Sequence, residues 1–149
     1  MKLIVVLFLT ACSFSFSRAQ CDADVREAFG GVSSITVYNT YITIGAIADA
    51  YVNDVYNSDR VKELMGEQVS MLQAVIDMLA KCRQVKSNGL SADDVLYVQE
   101  LIDCMTSLKK EAQGLSDYSA TKSEEAQDRY NVNRDKAWSQ ISALLGLEK

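Results

Sequence analysis

Residues 59–86 carry the strongest helical pattern in the chain. Val61, Leu64, Gln68, Leu72, Val75, Leu79 and Cys82 recur at steps of three or four, and Met65, Val69, Ile76 and Met78 widen the stripe. Apolar positions at that period share one face of a helix, so the segment predicts an amphipathic helix with that face in a core. Ser58 is placed to cap its start, and Asp59 meets the positive end of the helix dipole. Lys81, Arg83 and Lys86 meet the negative end. Asn88-Gly89 then reads as a left-handed stop.

A second helix announces itself at Ser91-Ala92-Asp93-Asp94, a serine cap with an acid at its third helical position. Val95, Val98, Ile102, Met105 and Leu108 form its apolar face, with Leu101 and Cys104 beside them. Gly114-Leu115-Ser116 marks a softer boundary. Beyond it the chain is more polar, yet Tyr130, Ala137, Ile141 and Leu144 repeat on one side, near Trp138 and Leu145.

Residues 32–52, VSSITVYNTYITIGAIADAYV, fit two patterns. β-Branched residues dominate Ile35 to Ile44, and intrinsic propensity favours a strand there. A helix also accounts for them, with Ile35, Tyr38, Ile42, Ala46 and Asp49 on one side and Val37, Tyr41, Ile44 and Ala48 adjacent. An isolated strand would have no evident partner in this chain, so the expectation is a buried helix. Gly30-Gly31 separates it from a short charged helix, CDADVREAF, and Tyr56-Asn57-Ser58-Asp59 interrupts the chain after it. The fold expected is all-α: a small antiparallel bundle of three or four main helices plus a short N-terminal helix, supported by a disulfide.

Composition adds the compartment. The chain has 149 residues, 48% hydrophobic and 23% charged, with no proline to interrupt long helices. Lys2 followed by the Leu3–Leu9 run reads as an export signal, too short to span a bilayer. Ser17-Arg18-Ala19 offers small residues for cleavage, giving residues 1–19 as signal peptide and 20–149 as a single secreted helical domain. Alternatively, Leu9-Thr10-Ala11-Cys12 resembles a bacterial lipobox, which implies a lipidated Cys12 anchored in a bacterial envelope. Loss of residues 1–19 removes Lys2 and Arg18 from 15 basic residues. That leaves 13 against 20 acids, a net charge of −7. Scattered basic residues on so acidic a domain argue against nucleic acid as a partner, and Asn39 with repeated Ser and Thr argues against a stable membrane span.

Chemistry is sparse. There is no histidine, and the cysteines lack a C-x₂-C spacing, so neither a zinc site nor a histidine base is available and no cofactor is expected. Asp93-Asp94 and Glu124-Glu125 are adjacent acids, which on a helix do not face one another. In an oxidising compartment three cysteines predict one bridge. Folding the helices back on one another brings Cys21 level with Cys104, which favours Cys21–Cys104 over Cys21–Cys82 or Cys82–Cys104. Cys82 is then the remaining thiol. Tyr38, Tyr41, Tyr51 and Tyr56 crowd the uncharged helix and its continuation. Their rings suit core packing first, and after that a cavity for a small apolar ligand lined by Tyr38, Tyr41 and Tyr51. The functional expectation is a non-enzymatic, extracellular binding protein for a small apolar ligand. The alternatives are a structural or protein-interaction bundle with a protein partner, and a membrane-active secreted protein.

Overall fold

The computed structural model describes the backbone of residues 2–84 and 90–147, with side chains from Val25 onward in those ranges. Among the described residues the chain is all-α, with four helices: α1 Lys2–Val52, α2 Ser58–Gln84, α3 Ala92–Thr121 and α4 Glu124–Leu144. Cys12, Cys21 and the Asn88-Gly89 stop lie outside the residues whose side chains are described. No helix among the described residues is long and apolar enough to cross a membrane. The chain divides into unit 1, Met1–Ile35, and unit 2, Thr36–Lys149.

In unit 1, Gly30-Gly31 does not end a short helix as expected, because both glycines lie within α1. Glycine lowers helix stability by about 1 kcal/mol relative to alanine, but it stops a helix only where a left-handed residue or a cap closes the end. Neither is present there. The Ser33 hydroxyl donates to the Phe29 carbonyl one turn back.

Unit 2 is built around α3, which packs against both α2 and α4. Its buried residues run from Val98 through Leu101, Cys104, Met105, Leu108, Ala112 and Leu115, more than one stripe's worth, as a central helix requires. Met65 and Val61 of α2, Ile141 and Ala137 of α4, and Val37 and Ile44 of α1 complete the core. Each fully enclosed large side chain contributes roughly 1.5–3 kcal/mol of apolar burial.

Residues 36–52 are helical despite their β-branched content, and packing explains why. Val37, Ile44, Ile47 and Ala48 are buried, and the Thr40 and Thr43 hydroxyls donate to the carbonyls of Thr36 and Asn39 at 2.9 and 2.8 Å. Burial takes only one face, because Tyr38, Ile42, Ala46 and Asp49 are exposed. Residues 36–48 carry no charge, so the solvent side is marked there by the exposed, uncharged Thr36, Asn39 and Thr43.

The helix ends are set locally. Asp54 adopts a left-handed conformation (φ 58°), and the amide of Val55 bonds the Ala50 carbonyl at 2.8 Å, closing α1. The cap of α2 is Asn57, whose Oδ1 accepts from the Arg60 amide at 2.9 Å, and not Ser58. Ser58 instead reaches across to α3, where its hydroxyl and that of Tyr51 both donate to the Ser119 carbonyl, at 2.6 and 3.1 Å. That carbonyl lies in the last turn of α3, where helix geometry leaves it without an intrahelical partner. Side chains from α1 and α2 therefore satisfy the end of α3 and tie three helices together. Ser91 and Asp94 form the capping box read from the sequence. The boundary expected at Gly114-Leu115-Ser116 falls later, at left-handed Lys122 (φ 52°), after which Ser123 caps α4.

Candidate functional site

The three tyrosines expected to line a cavity have separate surroundings. Tyr38 is 39% exposed. Tyr41 packs its ring 5.4 Å from that of Trp138 on α4. Tyr51, about 15 Å further along the helix axis, bonds Ser119 and meets the edge of Tyr118 at 6.1 Å. Two surface recesses are described. One is an open groove along α2 lined by Asp59, Lys62, Gly66 and Met71, and the other is a polar recess between α3 and α4 lined by Lys110, Gly114, Asp117 and Arg129. None of the three tyrosines lines either.

The disulfide expectation is overturned. Cys104 carries a thiol and is fully buried at the centre of α3, and Cys82 on α2, which is exposed, is not bridged to it. Level along the helices suggests which cysteines come near one another, but it does not say which way each side chain turns. Cys104 turns into the apolar core, and burial pushes its thiol up to about 12, so it packs as a small hydrophobe.

A polar cluster that the sequence pattern did not reveal lies where α1, α3 and α4 meet. Glu111 of α3 is 0% exposed, and its Oε1 accepts from Arg134 Nη1 of α4 at 2.7 Å. Its second oxygen, Oε2, is buried without a hydrogen-bond partner. The Arg134 guanidinium lies 4.1 Å from the centre of the Tyr41 ring. It also packs so close to Gly45 that a β-carbon there would sit 2.7 Å from Nη2. Burial pushes the Glu111 carboxyl up to about 7, against the pull of the Arg134 hydrogen bond and charge. Burial likewise pushes the Tyr130 hydroxyl up to about 12. The only sequence signal was the step of four from Tyr130 to Arg134 on one face of α4. It does not reveal a partner 23 positions away.

Among the described residues no group of three or more cysteine or carboxylate side chains is placed to hold a metal ion. Unit 1 carries a row of apolar residues, Val25, Phe29, Val32 and Ile35, at helical steps of three and four. All four are exposed, by 62, 45, 66 and 61%. Unit 2 separately leaves Ile42 and Trp138 exposed, by 47 and 42%. Comparison with known proteins finds no matching family model, no matching curated protein and no matching solved structure.

Proposed function

We propose that this is a secreted, non-enzymatic binding protein that engages a protein partner through a helix surface. The observation that carries the reading is the exposed apolar row Val25, Phe29, Val32 and Ile35 on α1. Isolated exposed apolar residues are ordinary, whereas a row at helical spacing is the form an amphipathic helix presents to a groove or to another helix. Export rests on Lys2 and the apolar run after it, and cleavage after Ala19 would leave the whole row in the mature chain. The protein-partner reading is preferred to the small-ligand carrier because Tyr41 packs its ring on Trp138, and Tyr51 spends its ring on Tyr118 and its hydroxyl on Ser119.

The test is site-specific photo-crosslinking of mature protein in its native fluid, with the reactive group at Val32 and, as a control, at Thr121. A discrete protein adduct at Val32 is expected, absent at Thr121 and lost in Val25→Glu/Ile35→Glu protein that melts like the wild type. Adducts of equal yield at both positions, or none at Val32, would reject the reading. A small molecule retained in native mass spectrometry would restore the carrier.

A further inference from the structure

Glu111 and Arg134 are bonded to one another but are not equally dependent on the bond. The Arg134 side chain is 28% exposed, and its guanidinium also has the face of Tyr41. A neutral Glu111 would leave it hydrated and packed. The carboxylate has no such alternative: it is fully enclosed, has one charge-assisted hydrogen bond, and keeps one oxygen unserved. A buried charge so poorly solvated costs more than a single bond returns. Adding a proton to Glu111 relieves that cost.

We propose that Glu111 and Arg134 form a proton-gated clasp within unit 2: protonation of Glu111 tightens the seating of α4 on α3, and ionisation loosens it. The geometry suits a clasp because α3 and α4 touch closely one turn further along, where Gly114 lies against the Tyr130 backbone. A small change in the fit of α4 is therefore felt along the contact. The groups that share the field of Glu111 are Tyr41 from α1, Cys104 from α3, and Arg134 and Tyr130 from α4. Asp49 of α1 and Asp135 of α4 act on the tyrosines. α2 meets α3 nearby in sequence through neutral Gln73, which accepts from Lys109 Nζ at 2.6 Å. Burial holds Tyr41, Tyr130 and Cys104 above their ordinary values, so all three stay neutral between about pH 5 and 8. Glu111 is the member of the cluster that changes charge in that range, because its carboxyl is raised from 4.5 to about 7. A raised carboxylate makes its contribution in full below the unfolded value and loses it as the pH climbs through the folded one.

The test follows hydrogen exchange of α4 amides in the wild type, Glu111→Gln and Asp135→Asn, with intrinsic exchange rates divided out. Protection of α4 in the wild type and in Asp135→Asn should rise about tenfold from roughly pH 8 to pH 6, while Glu111→Gln stays level. In parallel, carboxyl ¹³C titration of Glu111 in the wild type should give a midpoint well above the ordinary glutamate range. Wild-type protection that is level or falls on acidification overturns the clasp. So does an unchanged response in Glu111→Gln, or an ordinary Glu111 midpoint. Should Glu111→Gln fail to fold, the wild-type titration decides alone.

Discussion

Substituting Gly114 with alanine isolates how closely α3 and α4 are held. A β-carbon built on Gly114 meets the Tyr130 Cα and N at 2.9 Å each and the Tyr130 Cβ at 3.3 Å. Ordinary carbon contacts lie at about 3.5–4.0 Å, so α4 must retreat by roughly 0.6–1 Å. The obstructing atoms are mostly backbone, and no rotamer change removes them. The retreat loosens Ala126, Ala137 and Ile141, which are buried at 1, 0 and 0% exposure. Overpacking of this kind costs about 1–3 kcal/mol, and the higher helix propensity of alanine returns about 1 kcal/mol. A net loss of about 0–2 kcal/mol is expected. Gly66 supplies the control, because it is helical on α2, exposed, and has nothing within 4 Å of a built β-carbon. There the propensity gain acts alone, and Gly66→Ala should stabilise by about 0.5–1 kcal/mol. Urea unfolding followed by far-ultraviolet circular dichroism, compared at constant m-value, measures both variants. If Gly114→Ala proves as stable as Gly66→Ala, the close approach of the two helices is wrong.

Two further outcomes follow from the core. Leu72→Ala should cost about 2–5 kcal/mol in urea unfolding, because Leu72 is 6% exposed within the cluster; a loss under about 0.5 kcal/mol would remove it from the core. In the oxidised, folded protein Cys104 should resist alkylation at neutral pH and react once urea opens the fold, since its thiol is buried and raised to about 12. Recovery of Cys104 in a disulfide peptide under non-reducing conditions would contradict this.

What the sequence determined by itself is the part of the structure governed by neighbours three or four positions apart. The buried centre of the α2 stripe (Val61, Met65, Leu72 and Leu79), the Ser91–Asp94 capping box and the basic Lys81 and Arg83 of the last turn of α2 appear where local spacing put them, whereas Met78 and Cys82 of that stripe are exposed. These features are interactions within a helix, so the letters that make them lie side by side. Helix ends were less legible. Gly114 read as a boundary because glycine often ends helices, whereas here its missing side chain admits the Tyr130 backbone.

Tertiary structure alone decided three further matters. It chose which face of residues 36–52 is buried, since before Asp49 the polar signal is confined to uncharged threonine and asparagine and the neighbouring helices select the side. It turned Cys104 inward as a thiol and gave Tyr51 a carbonyl 68 positions away. It also joined Glu111 to Arg134 and enclosed the carboxylate. Nothing in a single helix specifies such pairs, because the energy of a buried charge depends on what other helices place around it.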